Sequence, residues 1–337
     1  MSVPDYRPHF QAMDLSEADA PSILAAVAYS DDRIRRARLA LGGLELREGA
    51  AVLALGSVGR YEASPASDFD VAFLFDPTRL EEPEARALRG EVIGALRGAG
   101  FDVAEKTFDK PIDARGLLRN IGGRNETNES LTYRALLLTE SAWLYNAATA
   151  RELCDAIFDV YRRDTVSRGR HLATLGNDLH RYYRTLCLDY RWKVEEGGKE
   201  WATRIMKLRH SRKLWHLANI AVQCGAREAD ARGEDHDAHL AAALNRPPLE
   251  RIALTAVPGG RADLARRIFL AYDRFLGRMR DPEVRAELLA LRHEDEGRSA
   301  VYLDLRDNAQ TLQVAAGELF HHLYERHRDH LMRFTIL

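Results

Sequence analysis

The hydrophobic pattern of the chain changes its period once. Up to about residue 111, short apolar runs alternate with helical stretches, and beyond it the spacing is helical. Residues 21–47 carry helix formers and a basic turn. "AAVLALG" (50–56) is a short apolar run ending in glycine, which predicts a buried strand. "DFDVAFLF" (68–75) predicts a second strand, apolar throughout after Asp70 and closed by Asp76-Pro77, since proline cannot continue a ladder. Residues 84–97 place Ala85, Leu88, Val92 and Leu96 on one helical face that Gly98 and Gly100 end. "FDVAEKTF" (101–108) then alternates like a third strand. No further strand is expected after Pro111.

The second half reads as a helical bundle. Leu153, Ile157 and Tyr161 share one face, and Leu172, Leu175, Leu179, Tyr182, Leu186 and Tyr190 share another. Residues 225–251, polar and punctuated by glycine and proline, read as a long connection between helices. In "EWATRIMKLRHSRKLWHLANI" (200–220), a 100° spacing places Trp201, Ile205, Leu208, Trp215 and Asn219 on one face. Arg212 falls in the middle of that face and Arg204 near its edge. A packed arginine needs either a carboxylate or an anionic ligand, which makes Arg212 a candidate for phosphate.

Bulk composition narrows the class. At 337 residues and 46 % hydrophobic, the chain has material for two domains. Its 49 Lys and Arg against 51 Asp and Glu leave it nearly neutral, which weighs against extended RNA binding. Cys154, Cys187 and Cys224 are far apart, with no C-x-x-C pair, so neither a disulfide framework nor a zinc ribbon is expected. With no run of about 20 apolar residues and no secretory start, the expected location is the cytoplasm, without a membrane partner.

The candidate chemistry lies between the first two strands, in "LGSVGRYEASPASDFDVAFLF" (55–75). Alternate residues of a strand point to one face, so Asp68 and Asp70 can share a hard divalent cation. Mg²⁺ is expected, with Mn²⁺ as its substitute. Gly56-Ser57 ends the neighbouring strand in a turn whose N–H groups can approach phosphate without a Cβ in the way. Arg60 offers a fork-shaped donor suited to phosphate oxygens, and Ser67 can hold either the first aspartate or the loop.

On these residues, Gly-Ser, about ten residues and then Asp-x-Asp, the stretch resembles the signature of the DNA-polymerase-beta-type nucleotidyltransferases. The Gly59-Arg60-x-Glu62 insert is similar to the PII-uridylyltransferase-like subgroup and to nucleotidyltransferases with an attached helical substrate-binding domain. That resemblance implies an α/β (α+β) catalytic domain with a small mixed sheet, followed by an α-helical bundle. Its parts would be a helical segment at 1–48, a catalytic core at 49–125 and a helical closing domain at 126–337. Gly56 and Ser57 would hold the β and γ phosphates of an NTP such as ATP while Asp68 and Asp70 bind Mg²⁺; Arg60, Ser67 and Arg212 join them as nucleotide-binding candidates on their own chemistry and placement. A third catalytic carboxylate belongs on the third strand, where Glu105 is chosen and Asp102 and Asp109 are alternatives.

The implied reaction moves an NMP onto an acceptor hydroxyl, with a protein side chain as the favoured acceptor and RNA 3′ ends or a small molecule next. A non-catalytic NTP-binding regulatory module is the alternative from another class. Three further features are weighed and set aside or left open. The Gly122-Gly123-Arg124 segment before a helix start could meet phosphate. His327 and His330 have i, i+3 spacing without a third ligand in register. His236-Asp237 lacks the flanking residues of a phosphohydrolase site.

Overall fold

The computed structural model describes residues 1–45, 47–103, 108–163, 172–196 and 200–332. The chain forms two units, one of Met1–Val3, Ala26–Thr165 and Asn245–Pro247, the other of Pro4–Ala25, Val166–Leu244 and Pro248–Leu337.

The first unit is built on a four-stranded mixed sheet. Its strands are β1 (Ala50–Ala54), β2 (Val71–Phe75), β3 (Ile112–Asp113) and β4 (Ala142–Tyr145), in the order β3-β2-β1-β4. β1 runs antiparallel to β2, with Ala50 opposite Phe75 and Ala54 opposite Val71, and antiparallel to β4 on its other side. β3 joins β2 in parallel. Every residue of β1 and β2 is buried, as expected of strands covered on both faces. Val52, Ala54, Val71, Phe73 and Phe75 share a core with Ala85, Leu88, Val92, Ile93 and Leu96 of the helix Glu82–Gly98. Ile34, Ala37 and Leu41 of the helix Pro21–Leu41 belong to the same core. The helix Ala147–Arg162 packs against β1 and buries Leu153, Ile157 and Tyr161.

Two expectations change here. Strands do occur after Pro111: β3 and β4 both follow it, and β4 takes the outer place beside β1. The expected third strand is reduced, among the described residues, to a single parallel bridge between Phe69 and Val103.

The second unit is helical. The helix Lys213–Ala231 packs against Pro248–Ala256, His236–Leu244 and Ala173–Glu195, and the helix Ala262–Arg280 packs against Ala300–Arg326. The polar stretch 225–251 is therefore mostly helix, not a long connection. Gly225 sits inside the helix Lys213–Ala231, facing Thr255. Pro248 opens a helix, where its missing N–H and fixed φ fit the first turn.

The face expected in 200–220 is also displaced. A π-helical turn, Leu208–Arg212, follows the α-helix Trp201–Lys207 and shifts the phase of everything after it. Met206 and His210 are buried while Ile205, Leu208 and Arg212 stay partly exposed, although Trp215 and Asn219 are buried as expected.

His327 is 3.0 Å from Glu228, and His236 bonds to Asp237 at 2.9 Å. Among the described residues, no group of three metal-binding side chains is formed.

Candidate active site

The antiparallel ladder of β1 and β2 brings the two halves of the motif together. Beyond Ala54, the Leu55 N–H donates to the Asp70 carbonyl at 3.0 Å, so the ladder continues past both named strands. Gly56 then turns the chain with φ +63°, a region open to glycine, and begins the single helical turn Gly56–Gly59. A Cβ at Gly56 would lie 3.0 Å from Asp70 Oδ2. The glycine thus leaves open the space that the aspartate faces.

Gly59 closes the same turn for a different reason. A Cβ there would fall 1.9 Å from the Glu140 carbonyl oxygen, so only glycine lets the turn lie against the chain entering β4. The turn is fixed at both ends, by Asp70 and by Glu140. Ser57 is half-buried between them, and its carbonyl accepts from the Glu62 N–H at 2.8 Å.

Asp68 and Asp70 flank Phe69, which is buried and bridged to Val103. Alternation along the extended chain sends both carboxylates to the side opposite Phe69, with Asp68 exposed and Asp70 half-buried. Phe69 packs on Phe101 with the rings tilted at 46° and 4.5 Å between centroids, and the Arg33 guanidinium lies 4.1 Å from the Phe101 centroid and 5.3 Å from that of Phe69. Three residues earlier on the same helix, the Ser30 hydroxyl accepts the Ala63 N–H at 3.1 Å. Neither Ser30 nor Arg33 stood out in the sequence, because their partners are over thirty residues away.

The remaining expected residues take varied places. Arg60 is buried, donating to Glu62 at 2.8 Å and to Glu140, with both carboxylates buried as well. One cation therefore faces two carboxylates, and Glu62 Oε1 is buried without a hydrogen-bond partner. Ser67 holds the loop: its Oγ accepts the Ser64 N–H at 3.0 Å. Glu105 lies outside the described residues. Asp102 and Asp109 are exposed. Arg212 belongs to the second unit, whereas the glycine turn and both aspartates belong to the first.

At the end of β2, Asp76 accepts from Arg115 at 2.7 Å and from Thr78, and the Arg115 guanidinium holds this carboxyl well below the usual carboxylate range. Gly122-Gly123-Arg124 is exposed ahead of the helix Asn128–Thr139, whose first turn is capped by Thr127 accepting the Ser130 N–H at 3.0 Å.

Asp70, apposed to Gly56 where the chain carries no Cβ, and Asp68 two positions before it on the same extended segment offer hard oxygen donors beside the glycine turn. That set suits a divalent cation carrying phosphate. Residues 9–108 match the family model described as "Putative nucleotidyltransferase DUF294". No curated protein matches the chain. The glycine turn, both aspartates and the strands that carry them all lie within that match, so residues 9–108 are the part of the chain similar to that family.

Proposed function

We propose that the protein is a cytoplasmic enzyme that transfers an NMP from an NTP such as ATP to an acceptor hydroxyl, releasing pyrophosphate, with a protein side chain as the acceptor. The observation that carries this reading is the apposition of Gly56 and Asp70, where the space a Cβ would fill faces the aspartate. Asp68 and Asp70 would hold Mg²⁺ or Mn²⁺, which neutralises charge on the phosphates. The Gly56-Ser57 turn binds phosphate through its N–H groups and the serine hydroxyl. Catalysis then rests on positioning and on preset electrostatics more than on covalent chemistry by the protein. Ser67 supports the site through the loop it closes, and Glu105 is the candidate to accept the acceptor's proton.

The experiment is incubation with each α-labelled NTP, Mg²⁺ and cell extract, followed by separation of protein, RNA and small molecules. Label in protein is the expected result. Label confined to RNA or to a small molecule would overturn the choice of acceptor. Measurable NTP binding without any label would favour a regulatory module that binds nucleotide and does not turn it over.

A further inference from the structure

The π-helical turn in the second unit does more than shift a packing face. Two turns of a regular α-helix take about 7.2 residues, and one inserted residue raises this to about 8, the spacing from Arg204 to Arg212. Arg212 is thereby brought back into line with Arg204, and Lys207, one turn after Arg204, falls between them. In an uninterrupted helix, Arg212 would be rotated well away.

All three cations act on one phenol of the neighbouring helix Ala173–Glu195, that of Tyr190. The Arg204 guanidinium lies 5.8 Å from the Tyr190 ring centroid. Burial pushes the Tyr190 phenol up, but Arg212, which also hydrogen-bonds to it, Lys207 and Arg204 outweigh burial and leave it below its ordinary value. Among the described residues no carboxylate forms an ion pair with Arg204, and its Nε is buried without a hydrogen-bond partner there. Asp189, next to Tyr190, is taken by Lys193 at 2.6 Å, and Glu195 by Arg191 at 3.0 Å. A buried donor on a charged group, left without an acceptor, is costly unless a ligand completes it.

We propose that Arg204, Lys207 and Arg212, with the Tyr190 hydroxyl, form an anion site in the helical unit that takes two or more linked phosphate groups. Linked phosphates suit the spacing, since the backbone positions of the three cations extend over about 12 Å of helix axis on either side of Tyr190. Arginine forks and a phenol donor match phosphate oxygens, and the exposed lysine between the arginines adds a point charge. This site stands on the second unit alone, so it survives if the transferase reading fails.

The test is calorimetric titration of the full chain with inorganic tripolyphosphate, and separately with inorganic phosphate, in EDTA. Tripolyphosphate is expected to bind well over tenfold more tightly than phosphate. The double variant R204Q/R212Q should weaken it by at least tenfold, and Lys207→Gln, at an exposed position that leaves folding intact, by about threefold. All titrations are made in the Ser57→Asp background, where the negative charge at the glycine turn removes phosphate binding by the first unit, and Arg191→Gln, an exposed partner of Glu195 outside both sites, should leave the affinity unchanged. Absence of binding in that background, equal affinity with and without K207Q, or a loss in R191Q as large as that in R204Q/R212Q would each overturn the proposal.

Discussion

At the scale of single residues, the site is defined by what glycine permits and by what Arg60 holds. Gly56 and Gly59 leave room for the Asp70 carboxylate and the Glu140 carbonyl. Arg60 sits between two buried carboxylates, and removing a buried partner strands the charges it compensated. Arg60→Ala should therefore destabilise the fold by about 3–5 kcal/mol, read as a large fall in the urea midpoint. A normal midpoint with weakened NTP binding would instead put its guanidinium on phosphate. Gly-Ser, the spacing and Asp-x-Asp were legible from sequence because they are local and each follows from strand geometry. The environment of Arg60 was not, since one of the carboxylates that claim it is eighty residues away; Glu62, two positions on, was the available signal.

Among the elements, the helix Pro21–Leu41 contributes more than a cover for the sheet. Ser30 ties down Ala63 and Arg33 lies over Phe101 and Phe69, so the loop carrying both aspartates is held from outside its own strands. A cation–π contact of this kind contributes about 0.5–2 kcal/mol. Arg33→Ala should lower stability by no more than that, yet reduce the rate of nucleotidyl transfer about tenfold at unchanged KM for NTP, with Arg33→Lys recovering part of the rate. A loss of rate no larger than the loss of folded protein would reduce Arg33 to a packing role. The strands that escaped the sequence reading are short: β4 has four residues between two helices, and its pairing with β1 is non-local. Helical periodicity misplaced Arg212 because a 100° spacing presupposes an unbroken α-helix, and the π turn breaks it.

For the molecule as a whole, acid should act first through the helical unit. His180 Nδ1 and His216 Nε2 are 2.7 Å apart, and burial holds the two rings at about 4 and about 3. The unfolded chain binds protons at these residues below about pH 6.5, the folded chain only near pH 4. Stability from the pair is thus complete above pH 6.5 and is lost as the pH falls towards 4. Lowering the pH from 7.5 to 5 should cost on the order of 1 kcal/mol or more, and His216→Gln should flatten that slope in urea titrations. The α/β unit followed by helices was readable from the change in hydrophobic period, whereas the interleaving of the units in the chain was not, because it depends on contacts distant in sequence. No helix among the described residues is long and apolar enough to cross a membrane. The central claim is that a glycine turn and an Asp-x-Asp pair make one phosphate-and-metal site. It is tested most directly by comparing wild type and Asp70→Asn for transfer of α-labelled nucleotide, with the urea midpoint measured alongside. The account predicts a loss of transfer of at least a hundredfold at a nearly unchanged midpoint; a folded Asp70→Asn protein that labels its acceptor at the wild-type rate would contradict it.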